Sequence, residues 1–292
     1  MQNNSNFCIL DSYNSLEELL IKELLYSKSF IKKNFTKVQL ARKILVRDEI
    51  NIPIVVRNRG LINPSYSAKG IEILEEDENF LAVNKLAGLH GHPQNYLEDD
   101  TILNFIRNRY QFPFLSLPQE SPESNLLYRL DRETSGVLIF AKNLEAYREV
   151  RGDFKNVTKE KSYIAIVCGD FDKEGQHSHS IKATGKKGMK MECSLDGPDN
   201  VSIEVKKLSY NNEYDLSLLK VSLGRGVRHQ IRSQLSAIGY PILGDTLYEG
   251  KESARVYLHA LSYEFRTEHY IFKAQSLYEK SFFEFFNLDS CL

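Results

Sequence analysis

Residues 128–142 read YRLDRETSGVLIFAK. The second half, GVLIFAK, is a short apolar run rich in Val, Ile and Phe, and it predicts a buried β-strand. The first half sets Arg129, Asp131, Arg132 and Glu133 directly against that strand. Charge is costly to bury unless it is paired. The stretch is therefore either a solvated turn at a strand entry or part of a site. Arg129 and Arg132 flank Asp131 and favour its ionised form. A positioned carboxylate can act as a nucleophile or base; the same residues also suit a structural Arg–Asp pair. Glu133 lies two residues from Asp131, so a glycosidase-style pair would have to splay widely to flank a bond.

Outward from this stretch, FLAVNK (80–85), KSYIAIVCG (161–169), YDLSLLKVSL (214–223), RVYLHALSYEF (255–265) and residues 270–276 predict strands. In KSYIAIVCG, Tyr163, Ala165 and Val167 fall on one face and Ile164, Ile166 and Cys168 on the other. Helices are expected at 15–27, 37–47, 100–110, 144–152 and 227–238. Ser15 with Glu18, Thr36 with Gln39, Asp100 and Asn143 supply their caps. Leu16, Leu19, Leu20 and Leu24 give the first of them an apolar face. IPIVVRN (52–58) and GLINPSYSAKGIEIL (60–74) predict short strands joined by turns. Strands outnumber helices without strict alternation. This is the pattern of an α+β domain on a mixed, largely antiparallel sheet with flanking helices. The expected division is a small N-terminal α/β module, 1–70, and a larger domain, 71–292.

The chain has 292 residues, 42% hydrophobic and 26% charged, enough for a sizeable core. Its net charge is −1, so any basic surface must come from local clustering. Residues 28–47 carry seven Lys/Arg and no acid, and 182–190 carry four Lys and no acid, whereas acids cluster at 72–78. Either run is a solvated face or a contact surface. Cys8, Cys168, Cys193 and Cys291 show neither CxxC pairing nor metal spacing, which predicts free thiols in a reducing compartment. The polar N-terminus lacks a secretion signal and no apolar run reaches membrane-spanning length, so a cytoplasmic protein with no membrane partner is expected.

Two further stretches carry chemistry. GRGVRHQIRSQL (224–235) sets Arg225, Arg228 and Arg232 around a glycine loop and a predicted helix start, an arrangement that suits phosphate or a solvated basic helix equally. Lys161-Ser162-Tyr163 opens an alternating strand, where a tyrosine is more often core than catalytic. His90 and His92 lack a partner acid or cysteine at metal spacing, so no metal is expected.

Together, RLDRETSG (129–136), KSYIAIVCG (161–169) and HQIR (229–232) resemble the three core motifs of the RluA-type pseudouridine synthases. EDENFLAVNKLAGLHGHP (76–93), Lys190-Met191, LGDTLY (243–248) and LHALSYEF (258–265) support the match. The resemblance implies an isomerase that flips a uridine out of structured ribosomal or transfer RNA and exchanges its N-glycosidic bond for one at C5. It needs no cofactor and no obligate protein partner, and works as a monomer. It makes Asp131 the catalytic carboxylate, Tyr163 the ring that stacks on the flipped base, and Arg232 the guanidinium paired with Asp131. Arg129 would enter the RNA stack; Arg132, Arg225, Arg228, Lys85 and Lys190 would contact RNA. The sequence departs from the usual pattern at Tyr128 (commonly His), Leu86 (commonly Pro) and Val227 (commonly Arg or Lys). Residues 1–70 loosely resemble an S4-type RNA-binding module. The alternative on the same scaffold is a non-catalytic RNA-binding protein.

Overall fold

The computed structural model describes residues 4–9, 11–24, 26–53, 63–68, 70–110, 125–185, 189–197, 200–224, 226–277 and 280–286. The chain forms two compact units, 1–63 with 94–98 and 64–93 with 99–292.

In the first unit, strand β1 (Asn4–Cys8) pairs antiparallel with β2 (Glu49–Pro53). Between them lie three short helices: α1 (Leu16–Lys22), α2 (Lys28–Asn34) and α3 (Lys37–Ala41). Ser15, Ser27 and Thr36 cap them by accepting from backbone N–H groups, and Thr36 with Gln39 completes a capping box. The helix expected at 15–27 stops at Lys22, because Ser27 starts a new one. Leu24, expected on its apolar face, is exposed. The helix expected to reach residue 47 ends at Ala41: Ile44 bridges to Tyr13, and the Asp48 carboxylate accepts from the Leu45 N–H. Leu16, Leu19, Leu20, Ile31, Phe35 and Ile44 close a core within this unit. The strand expected at 52–58 falls largely outside the described residues, as do residues 60–62.

The second unit is built on one large sheet. Its strands are β3 (Glu72–Glu76), β4 (Phe80–Lys85), β5 (Ser135–Ala141), β6 (Thr158–Cys168), β7 (Gly175–Thr184), β8 (Lys190–Ser194), β9 (Asn200–Asn211), β10 (Leu216–Ser222), β11 (Leu258–Arg266) and β12 (Ile271–Gln275). Their order is β3-β4-β5-β11-β6-β10-β9-β7-β8, with β12 added to β11. The pairings are antiparallel except that of β11 with β5. Helices α4 (Ile102–Tyr110), α5 (Leu144–Gly152), α6 (Phe154–Val157) and α7 (Gln230–Ala237) flank it. Thr101, one residue beyond the expected Asp100, caps α4 by accepting from the Asn104 N–H. Strands β7, β8 and β9 stand where none is expected from the sequence.

β6 is buried on both faces. Tyr163, Ala165 and Val167 pack with Ile231 and Leu235 of α7; Ile164 and Ile166 pack with Leu218, Tyr257 and Phe282. The apolar half of the opening stretch is β5, buried along its whole length. Gly136 sits at its parallel junction with β11 at φ +105°, and a Cβ there would fall on the Ala260 backbone. Only glycine lets the strands approach so closely. This junction fixes the loop before β5, and with it Asp131.

Candidate active site

The charged half of the opening stretch is a loop stitched to a second loop. The Arg132 carbonyl accepts from the Gly88 N–H, and Arg132 Nε donates back to the Gly88 carbonyl, both at 2.8 Å. Lys85 lies beneath, fully buried. Its Nζ donates to the carbonyls of Leu86, Leu89 and Arg132 at 3.1, 2.9 and 3.0 Å. Burial lowers its pKa to about 7, against the opposing charges of Asp131 and Glu133. Lys85, expected at the RNA, is instead a brace inside the protein: three backbone acceptors occupy its amine. Arg132 likewise turns to Gly88. Thr134 N–H donates to the Asp131 carbonyl at 3.1 Å and tightens the turn.

The Asp131 carboxylate is partly exposed and faces α7. Arg232 Nη1 is 3.5 Å from its Oδ2, and His229 Nε2 is 3.9 Å from its Oδ1. The expected Arg232–Asp131 contact is present but is not the principal one. The Arg232 fork is held by Asp245, Nε to Oδ2 at 2.6 Å and Nη2 to Oδ1 at 2.8 Å, with both side chains buried. Its remaining Nη1 reaches Glu133 at 3.2 Å as well as Asp131. Burial opposes the guanidinium charge, but the bonds to Asp245 and the three surrounding carboxylates outweigh it and raise the Arg232 pKa. A bidentate clamp orients the guanidinium and so the edge it offers Asp131.

His229 is the N-cap of α7 in the left-handed conformation, φ +51°. Its Nδ1 is 2.9 Å from Tyr248 Oη, which accepts from the Met191 N–H. Burial depresses its pKa, with Asp131 opposing. Because α7 begins at Gln230, Arg228 precedes the helix and does not share a helical face with Arg232. Arg228 is exposed and donates to the Met189 carbonyl at 3.1 Å.

Asp131, Arg228, His229 and Arg232 line a cleft of about 730 Å³, together with Tyr163, Arg129 and Lys161. Tyr163 is 8% exposed; burial raises its pKa and the Asp131 charge adds to the rise. Tyr128, where histidine is more usual, stacks on Tyr263 with centroids 4.2 Å apart and donates to the Val137 carbonyl at 2.8 Å. Asp131, Tyr163, Arg232, Arg129 and Arg228 thus meet in one cleft. Lys190 is not on its wall: it lies against the Tyr248 ring, 5.4 Å from the centroid. Arg225 lies outside the described residues. Asp245, Tyr248 and His229 complete the site without having been singled out from sequence; LGDTLY and HQIR carried them only as matching strings.

Among solved structures, the chain is similar to "Human RNA Pseudouridylate Synthase Domain Containing 1". The TM-score is 0.59 at 24% identity over 73% of this chain and 85% of that one. The sheet architecture is therefore that of the pseudouridylate synthases. The family model described as RNA pseudouridylate synthase matches residues 79–237. The ribosomal large subunit pseudouridine synthase D of Borreliella burgdorferi is 33% identical over 76% of this chain and 68% of its own length. The RNA pseudouridine synthase YhcT of Bacillus subtilis is 31% identical over 73% and 69%. The chain belongs to the RNA pseudouridylate synthase family, in its RluA-type branch, and is an RNA-modifying isomerase. No described helix is long and apolar enough to cross a membrane.

Proposed function

We propose that the chain converts specific uridines of large-subunit ribosomal RNA to pseudouridine, with Asp131 as the catalytic carboxylate. The observation that carries this is the setting of Asp131: its two oxygens stand 3.5 Å from Arg232 and 3.9 Å from His229, on the wall of a cleft that Tyr163 also lines. A uridine inside an RNA helix must be flipped into such a pocket to be reached. The Tyr163 ring then stacks on the base. Asp131, oriented by the Arg232 edge, acts on the ribose as nucleophile or base while N1–C1′ is exchanged for C5–C1′. Arg129 and Arg228, exposed at the rim, hold RNA. The choice of ribosomal RNA rests on the name of the Borreliella relative. The enzyme works as a single chain in the cytoplasm, where its substrate is.

The test compares pseudouridine maps of total RNA from a strain lacking the gene, complemented with wild type or with Asp131→Asn. Asp131→Asn keeps shape and removes the charge. It is expected to restore no pseudouridine while the purified variant still binds RNA. Restored modification by a sequence-verified Asp131→Asn chain would sink the assignment.

A further inference from the structure

The cleft holds a buried amine that the chemistry above does not use. Lys161 lies on β6 two positions before Tyr163, on the same face of the strand and about 7 Å away along it, and both line the cleft. Lys161 is 4% exposed. Among the described residues, no carbonyl, carboxylate or hydroxyl accepts a hydrogen bond from its Nζ. The amine stands instead 4.5 Å from the Phe154 ring centroid, 5.1 Å from Tyr263 and 5.6 Å from Tyr128. A Cβ on Gly226 would meet Nζ at 3.6 Å, so the amine reaches across to the loop before α7.

This arrangement is costly if it only packs. An ammonium drawn out of most of its water with no acceptor in the protein loses hydration, and three aromatic faces return part of that loss. An apolar side chain would fill the same box more stably. Burial, with Arg151 adding to it, lowers the Lys161 pKa to about 8, so the amine still carries its proton near neutral pH. Among the described residues, the other buried lysine and arginine are committed: Lys85 to three carbonyls and Arg232 to Asp245.

The reaction creates a need for such a group. When N1–C1′ breaks, the electron pair stays on the uracil and spreads onto O2 and O4. A fixed cation at one of those oxygens, in a pocket poor in water, stabilises the charge as it develops. We propose that Lys161 is a catalytic residue that hydrogen-bonds a carbonyl oxygen of the flipped uracil and stabilises the departing uracil anion. No proton moves to the oxygen in this step: Lys161 keeps it, while Asp131 either bonds C1′ and is displaced when C5 attacks, or takes the C2′ proton and returns it when C5 bonds C1′. The pair returns through C5, which bonds C1′ and loses its proton, while N1 gains one. A backbone phosphate is a poorer match. It would lie at the mouth, where Arg129 and Arg228 are exposed, whereas Lys161 is buried among three rings on the cleft wall.

The inference rests on the isomerase reading, and one experiment separates the two. Wild type, Lys161→Met and Lys161→Gln are assayed in single turnover on total RNA from a strain lacking the gene. RNA affinity is measured at two salt concentrations, and melting temperature beside it. Lys161→Met keeps the stem in its box and is expected to lose about 10²-fold in rate, with affinity, salt dependence and melting unchanged. Lys161→Gln, which retains a donor, is expected to recover part of that loss. A Lys161→Met rate near wild type overturns the role. So does a loss of affinity with a flatter salt dependence, which would mean a phosphate contact. A melting drop of about 10 °C or more in both variants would make the residue structural and overturn it too. If the wild-type chain makes no pseudouridine, the isomerase reading itself falls.

Discussion

At the scale of single residues, the site depends on one buried guanidinium. Arg232 gives two of its nitrogens to Asp245 and presents the third to Asp131 and Glu133. Lysine keeps the charge but has no fork, so it cannot hold Asp245 and Asp131 in fixed directions together. Arg232→Lys is expected to lose about 10²-fold in single-turnover rate, the size of a small misplacement of a reacting group. Asp245→Asn is expected to cost about 3–5 kcal/mol of folding stability, because it strips the charged partner from a buried cation; urea denaturation reads that loss. If Asp245→Asn is as stable as wild type, the clamp is not what holds Arg232. Asp131 and Arg232 were both legible in the sequence, because each sits inside a specific string. Asp245 was not. Its partner is 13 residues away along the chain, and no local spacing announces a bidentate pair that forms only when a helix and a 3-10 turn meet.

At the scale of elements, the strands that surround the site follow from apolar runs, and those that lie away from it mostly do not. β5 and β6 are buried and read directly from Val, Ile and Phe. β7 buries only His179 and Ser180 among its ten residues, so nothing in GQHSHSIKAT alternates in hydrophobicity. β9 does bury Val201, Ile203 and Val205 in alternation, a signal that charged neighbours dilute. The second short helix, α2, is set by a lone serine cap and one buried Ile31, too little for periodicity to register. The element on which the site turns is the β5–β11 junction. Gly136→Ala places a methyl on the Ala260 backbone at a left-handed φ. It is expected to cost about 3 kcal/mol from strain and overpacking together, with activity falling as the Asp131 loop shifts. Gly152→Ala is the control: nothing lies within 4 Å of its new methyl, so stability should hold or rise by up to about 1 kcal/mol. Equal, small effects of the two in urea denaturation would show that the junction tolerates a side chain.

At the scale of the whole molecule, a near-neutral net charge conceals local basic surface. The sequence located it by runs without acids, and the structure puts Lys32, Lys33 and Lys37 on the exposed surface of the first unit. They line a groove of about 690 Å³ formed by the end of α2, the start of α3 and the first turn of α1, with Glu17 as the one acid on its wall among the described residues. The leucines of α1 do not compete with this role, since Leu16, Leu19 and Leu20 are buried in that unit's own core. The lysines therefore have little to do with holding the fold. We infer that this unit recruits RNA through phosphate contacts, which gain affinity by releasing counterions. Replacing Lys32, Lys33 and Lys37 together by Gln is expected to lower RNA affinity at low salt. It should also flatten the slope of log affinity against log salt by about 2, at roughly 0.7 per contact on single-stranded RNA. Loss of the favourable helix-end placement of Lys32 and Lys33 should cost less than about 1 kcal/mol each, so melting should barely move. The single-turnover rate at saturating RNA should stay near wild type, because none of the three lines the cleft around Asp131. Titrations of the triple variant and wild type at three salt concentrations decide it: superimposable slopes would leave this basic groove without a part in RNA binding.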